Sequence, residues 1–160
     1  QKLRKSRTFM KGWDTLRQVH LALTDLRLNS NWTPELDIEP DQLRRKIALA
    51  TTVIPPIAED RFLCAFSHIF AGGYAAGYYS YKWAEVLSSD AFSAFEDAGL
   101  ELENQVQIIG MRFRDTVLSQ GGSRSPAAIF KAFRGRSATS EALIRHSGLQ
   151  NSAPEEMSRN

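Results

Sequence analysis

Apolar side chains recur at steps of three and four residues along most of this sequence, which is the spacing of amphipathic α-helices. The longest such stripe predicts a helix over about residues 8–28 and consists of Phe9, Trp13, Leu16, Val19, Leu23 and Leu26. No alternating polar and apolar pattern lasts long enough to indicate a β-strand. The sequence therefore predicts an all-α fold without internal repeats.

Proline, glycine and capping residues place the remaining helices. Helices are expected at about residues 41–53, 74–97, 103–120, 126–133 and 140–146. Ser125 followed by Pro126 is a typical helix start, and Gly148 is a typical helix stop. Residues 1–149 are thus predicted to form one helical segment, and the polar residues 150–160 are expected to be a disordered tail.

The charge balance argues against nucleic acid as a partner. The 160 residues include 20 Lys and Arg against 18 Asp and Glu, which gives a net charge of +2. Nucleic-acid binders usually concentrate basic residues on one surface, whereas the basic run from Lys2 to Arg7 is more typical of a solvated helix face or a chain end. The lone cysteine, Cys64, excludes an internal disulfide framework and is expected to be a small apolar core residue.

The stretch from Phe62 to Tyr81 contains 20 residues without a formal charge, which is about the length that crosses a bilayer. It also contains His68, two serines and four tyrosines, and Gly72 and Gly73 interrupt its apolar half. These polar groups favour a buried segment of a globular fold, so no membrane span is expected.

The sequence contains no complete catalytic or metal-binding motif. It has neither H-E-x-x-H, nor a P-loop, nor a dinucleotide-binding fingerprint, and His20, His68 and His146 are far apart. We therefore expect this chain by itself to bind no metal and no cofactor.

One group of residues does suggest a site. His68 precedes Gly72 and Gly73, and Tyr74, Tyr78 and Tyr81 follow at steps that place three phenols on one face of a helix. Such hydroxyls and an imidazole beside a flexible loop are suited to binding a peptide or a developing oxyanion. The alternative is a tyrosine-rich core face whose hydroxyls are satisfied by neighbours. Spacing alone leaves both interpretations open.

The segment from His68 to Trp83, HIFAGGYAAGYYSYKW, resembles the substrate-binding loop and helix of the thimet oligopeptidase family, and most closely its oligopeptidase A branch. The resemblance extends over about residues 8–149. Its further blocks follow in order as Ala84-Glu85-Val86, Asp90-Ala91-Phe92, Phe113-Arg114, Gly121-Gly122-Ser123, Phe133-Arg134-Gly135-Arg136 and Arg145-His146-Ser147-Gly148-Leu149.

This resemblance implies a helical clamshell that cleaves short peptides with a zinc ion held by an H-E-x-x-H helix and a downstream glutamate. The implied substrate-binding residues are His68, Gly72, Gly73, Tyr74, Tyr78 and Tyr81. Tyr78 and Tyr81 would also stabilise the tetrahedral intermediate. The zinc ligands of the family would lie before Gln1, so zinc is expected only if an upstream segment completes the site, and this chain alone is expected to be inactive.

Two functions remain open at this stage. The chain is either the C-terminal part of an active oligopeptidase, or a non-catalytic remnant that serves as a subunit of a larger, organellar assembly. Ile109-Gly110 stands where the family usually has Thr-Gly, and the tail after Leu149 is longer than usual. Gln1 would arise by processing or by fragment selection. The implied location is the mitochondrial or plastid interior, with the cytoplasm as the alternative. In either case we expect exposed apolar surface on the isolated chain, and hence aggregation or a protein partner.

Overall fold

A computed structural model describes residues 2–150, and in this part of the chain the fold is all-α, as predicted. Two short 3-10 helices, Phe62–Ala65 and Leu118–Gln120, accompany the α-helices. The α-helices are α1 (Lys2–Thr8), α2 (Lys11–Ser30), α3 (Pro40–Thr51), α4 (Ser67–Phe70), α5 (Ser80–Ala98), α6 (Glu103–Thr116), α7 (Pro126–Arg134) and α8 (Glu141–His146). The tail expected at 150–160 lies outside the described residues from residue 151 onward.

The chain divides into two compact units, Gln1–Trp83 and Ala84–Asn160. In the first unit, α2 packs against α3, and the core consists of Leu21, Phe66, Ile69 and Tyr78. In the second unit, α6 packs against α7, and the Phe113 ring meets the edge of the buried Phe133 ring at a centroid distance of 5.2 Å. Each unit thus has its own apolar centre.

Capping residues fix the ends of the second-unit helix α7 as the sequence predicted. The Ser125 hydroxyl accepts the Ala128 N–H at 3.3 Å, and Pro126 occupies the first helical position. The helix ends at Gly135, whose φ of 76° lies in the left-handed region. In the first unit, the Gln42 side chain accepts the Glu39 N–H at 3.1 Å at the start of α3.

Two of the predicted helices are interrupted by non-glycine residues in the left-handed region. The first predicted helix breaks at Met10, with φ 53°, and continues as α2. The helix expected from residue 74 begins only at Ser80, because Ala76 has φ 56° and residues 74–79 form turns. Met10 and Ala76 are residue types that favour helices, so neither residue by itself signals a break. Gly77, which follows Ala76, disfavours a helix interior, and the prediction of a continuous helix did not take it into account. The third difference is smaller: α6 ends at Thr116, and a 3-10 turn follows.

The uncharged stretch from Phe62 to Tyr81, expected to be a buried segment of a globular fold, is mostly exposed in this chain, in line with the apolar surface expected on the isolated chain. Only Phe66, Ile69 and Tyr78 are buried within it. Cys64 is also exposed, contrary to the expected core position. The 3-10 turn directs Phe66 into the core and leaves Cys64 outside. No helix among residues 2–150 is long and apolar enough to cross a membrane.

Candidate functional site

The loop between α4 and α5 brings the four predicted aromatic site residues together. The His68 ring lies 6.2 Å from the Tyr74 ring, 5.7 Å from Tyr78 and 6.4 Å from Tyr81, measured between centroids. Tyr81 lies 5.1 Å from both other tyrosines. The grouping was predicted correctly, but the reason given for it was wrong. His68 lies in α4 and Tyr81 in α5, whereas Tyr74 and Tyr78 lie in the loop between them, so the three tyrosines do not share one helical face.

Gly72 and Gly73 shape this loop for different reasons. A Cβ at Gly72 would lie 2.8 Å from the His68 Cα and 2.9 Å from the His68 carbonyl oxygen, so only glycine fits there. A Cβ at Gly73 would meet nothing within 4 Å, but its φ of 76° disfavours any other residue. The Tyr74 N–H then donates to the His68 carbonyl at 3.0 Å, and this closes the turn.

The cluster combines one buried tyrosine with exposed aromatic edges. Tyr78 is 8% exposed, packs in the first-unit core, and donates its hydroxyl to the Gln18 Oε1 at 3.1 Å. Tyr74 and Tyr81 are 37% and 41% exposed. The core interpretation therefore describes Tyr78 well, whereas Tyr74, Tyr81 and the exposed His68 form an open aromatic surface.

The surroundings raise the pKa of two of these phenols, Tyr78 and Tyr81. Burial raises the pKa of Tyr78, and the nearby Arg17 opposes the shift. A hydrogen bond with Tyr74 raises the pKa of Tyr81, with smaller contributions from desolvation and from its two tyrosine neighbours. A neutral phenol is a hydrogen-bond donor, and donors are what a developing oxyanion requires.

Asp25 of α2 is the residue at this site that sequence reasoning missed. Its carboxylate is 0% exposed and accepts the backbone N–H groups of Ala76 at 2.8 Å and of Tyr78 at 2.9 Å. The Asn29 amide donates to the same carboxylate at 2.9 Å. A signal did exist, since Asp25 lies one helical turn after Leu21 and a charged residue on a core face needs buried donors.

A cavity of about 330 Å³ lies in the same unit and is lined by apolar and polar residues of α2, α3 and the segment after α3. His20 lines it and is 6% exposed. The His20 Nδ1 donates to the Thr51 hydroxyl at 2.9 Å, because that hydroxyl donates in turn to the Ile47 carbonyl. Burial lowers the pKa of His20, and Arg44 and Arg17 lower it further. The imidazole is therefore neutral at neutral pH.

The second unit contains an apolar groove and a buried carboxylate, but none of the predicted site residues. The groove has a volume of about 630 Å³ and is lined by residues of α5, α6 and α7. Asp90 is 0% exposed and accepts two hydrogen bonds from the Arg136 guanidinium, at 2.6 and 2.7 Å, and one from the Thr139 N–H at 2.7 Å. These contacts connect α5 to the segment after α7.

Among residues 2–150, no group of three or more His, Cys, Asp or Glu side chains could hold a metal ion. The described part of the chain therefore supplies no donor set for the zinc ion that the resemblance implies.

Comparisons with known proteins agree with the resemblance. The family model of peptidase family M3 matches residues 1–149. The chain is 55% identical over 152 residues to the probable cytosolic oligopeptidase A of Arabidopsis thaliana. This alignment covers 93% of this chain and 21% of that protein. The chain is 54% identical to the organellar oligopeptidase A of the same plant, over 93% of this chain and 19% of that protein. Identity to oligopeptidase A of Escherichia coli is 40%, over 93% and 21% respectively. The chain thus spans about one fifth of the length of the curated relatives it matches.

Proposed function

This chain belongs to peptidase family M3, and from that membership we propose that it is the C-terminal, substrate-binding part of an oligopeptidase that cleaves short peptides. The observation that supports the proposal best is the open aromatic surface of His68, Tyr74 and Tyr81 beside the Gly72-Gly73 turn. The two Arabidopsis relatives, each more than half identical to this chain, carry oligopeptidase A in their names.

In this proposal the residues of the cluster have distinct roles. Tyr81 and Tyr74 offer exposed phenols that donate hydrogen bonds to a peptide carbonyl, and Tyr81 also donates to the oxyanion that forms when the carbonyl is attacked. His68 contributes a further polar contact to the bound peptide. Tyr78 is held by its hydrogen bond to Gln18 and by the core, and its ring packs against the Tyr81 ring. The turn at Gly72 and Gly73 allows the backbone to approach the substrate closely.

Hydrolysis itself needs groups that residues 2–150 do not supply. A zinc ion, when bound by an upstream peptidase portion, would provide Lewis-acid activation of water. The upstream portion is accordingly the first partner that we propose for this chain, and short peptides are the second. By itself the chain is proposed to be inactive.

A chimera tests this function. In the Arabidopsis cytosolic oligopeptidase A, the segment that aligns with this chain, 21% of that protein, is replaced by this chain. Cleavage of short fluorogenic peptides is then measured with zinc present. Cleavage at a rate within about tenfold of the parent supports the proposal. A folded, zinc-loaded chimera that cleaves nothing contradicts it. The 160-residue chain alone, assayed under the same conditions, is the matched control and should show no cleavage.

The alternative function is that of a non-catalytic, peptidase-derived subunit of a larger assembly. The apolar residues exposed at the end of α3, among them Leu49 at 82% and Ile54 at 79%, favour a protein contact in either case. The two functions differ in what is purified from the source cells. An active peptidase of larger mass that contains this sequence supports the oligopeptidase, whereas a stable complex without peptidase activity supports the accessory subunit.

The compartment is also a proposal. One relative carries "chloroplastic/mitochondrial" in its name and another "cytosolic", at nearly equal identity. We propose the mitochondrial or plastid interior, with the cytoplasm as the alternative. Fractionation of the source cells, followed by detection of the chain with an antibody, distinguishes these compartments.

A further inference from the structure

We infer that Asp25 is a positioning residue that sets the conformation of the tyrosine loop, so that substrate binding at the cluster depends on a carboxylate in α2. The inference rests on the proposed function for its effect on catalysis. Its structural part, the dependence of the loop on Asp25, stands on the geometry of the first unit alone.

The Asp25 carboxylate connects α2 to the tyrosine loop, where its two backbone donors follow it in sequence by 51 and 53 residues. Its two oxygens accept different N–H groups, one from Ala76 and one from Tyr78, at 2.8 and 2.9 Å. These two donors flank Gly77, and Ala76 itself has φ 56°, which is costly for a residue with a Cβ. Because the strained residue and the tyrosine after it bind the same carboxylate, Asp25 stabilises a backbone turn that local sequence does not favour.

The conformation of the turn affects the aromatic surface directly, because Tyr78 belongs to the turn and its ring contacts the other rings. The Tyr78 ring packs against Phe66, His68 and Tyr81, with centroids at 5.2, 5.7 and 5.1 Å. A shift of the Tyr78 backbone would therefore move the rings of His68 and Tyr81, which are two of the three exposed members of the cluster. Displacements of about 1 Å in a catalytic constellation commonly cost about 10²-fold in rate.

Only a carboxylate satisfies this position. The donors that approach it are the two backbone N–H groups and the Asn29 amide, and no solvent reaches the side chain at 0% exposure. An asparagine of the same shape would turn its own NH2 group towards one of these donors. One buried N–H would then lose its acceptor, which is unfavourable in a water-excluded site.

The experiment compares Asp25→Asn with Asp90→Asn in the chimera described above. Asp90 is a matched control, since it is an equally buried carboxylate that also accepts a backbone N–H but belongs to the second unit, which contains none of the tyrosines of the cluster. We expect Asp25→Asn to lower kcat/KM by about 10²-fold, and Asp90→Asn to lower it by less than about fivefold at a comparable loss of thermal stability. Deuterium exchange, followed by mass spectrometry, should accelerate in residues 72–81 for Asp25→Asn alone.

A second substitution that restores activity would distinguish loss of loop positioning from general destabilisation of the fold. Glycine adopts a positive φ without the Cβ penalty, so adding Ala76→Gly to Asp25→Asn should restore about fivefold or more of the lost kcat/KM. If Asp25→Asn does not fold, Asn29→Ala replaces it, because this change loosens Asp25 without removing the carboxylate. Asn29→Ala should then lower kcat/KM about fivefold and accelerate exchange in the same segment.

The outcomes separate this inference from the proposed function. The role of Asp25 is overturned if Asp25→Asn and Asp90→Asn lose equal activity at equal stability, or if exchange in residues 72–81 is unchanged. In that case an active wild-type chimera still supports the proposed function. If the wild-type chimera is inactive, the proposed function fails, and the exchange comparison by itself then decides whether Asp25 sets the loop. For Asn29→Ala, unchanged exchange and activity would likewise overturn the inference.

Discussion

The rings of Tyr74 and Tyr81 stack with centroids 5.1 Å apart and planes inclined by 26°, although Tyr74 lies in a loop and Tyr81 in α5. The neighbouring Tyr74 side chain raises the pKa of Tyr81. The pair presents a neutral hydroxyl at a half-open surface. This arrangement is suited to donating a hydrogen bond to a peptide oxygen.

The first prediction concerns the Tyr81 hydroxyl. In the chimera, Tyr81→Phe should lower kcat by about 10²- to 10³-fold, since it removes a donor to the oxyanion while keeping the ring. Tyr79→Phe is the matched control, because Tyr79 is 48% exposed and its ring makes no contact with the cluster among the aromatic pairs of the described residues. Equal activity of the two variants would show that the Tyr81 hydroxyl has no role in the reaction.

The two loop glycines should respond differently to alanine. Gly73→Ala should lower the free energy of unfolding by about 1 kcal/mol, because its cost is backbone strain alone. Gly72→Ala should cost about 2–3 kcal/mol, since the new Cβ meets the His68 backbone at 2.8 and 2.9 Å. Urea unfolding followed by tryptophan fluorescence measures both. A smaller loss for Gly72→Ala than for Gly73→Ala would contradict the close approach at His68.

His20 should make the stability of the first unit depend on pH. Its pKa is lowered in the folded state by burial and by Arg44 and Arg17, so the unfolded chain binds a proton that the folded chain lacks once the pH falls below about 6.5. The free energy of unfolding should therefore decrease as the pH is lowered from 7 to 5, with a slope of at most about 1.4 kcal/mol per pH unit from this group.

Variants of the histidines test this slope. His20→Gln should remove it, at some cost in stability at pH 7 from the lost bond to Thr51. His68→Gln, at an exposed histidine, is the control and should retain the slope. Urea unfolding at several pH values measures the difference, and a slope that persists in His20→Gln would assign the pH dependence to other groups.

The isolated 160-residue chain should self-associate. Apolar side chains at the end of α3 are exposed, including Val53 at 75% and Ile54 at 79%, and contiguous patches of this kind usually contact another surface. Size-exclusion chromatography with light scattering should give a mass above the 18.0 kDa of one chain. Val53→Lys combined with Ile54→Lys should shift the chain towards the monomer. A monodisperse wild-type monomer with a cooperative melt would contradict the prediction.

The sequence predicted which tyrosines lie together in the candidate site, but it did not predict the backbone conformation that brings them together. The spacing of Tyr74, Tyr78 and Tyr81 identified the cluster, because these residue types recur within one short segment. The same spacing gave the wrong geometry, since it assumed a continuous helix where Ala76 has a positive φ. The turn there depends on Asp25, more than fifty residues earlier, and no local pattern encodes such a contact.

The amino-acid sequence determined the all-α class, the starts and stops of helices such as α7, and the family, because these follow from helical periodicity, capping residues and motif order. The tertiary structure decided which of the tyrosines is buried, where the predicted helices break, and which carboxylates fix the loops. The position of Asp25 one helical turn after Leu21 hints at burial, but only the packing shows that Asp25 and Asp90 are fully buried and which donors they accept. The physical reason is that helix formation is governed by neighbouring residues, whereas the burial of a charge is possible only when distant segments bring donors to it.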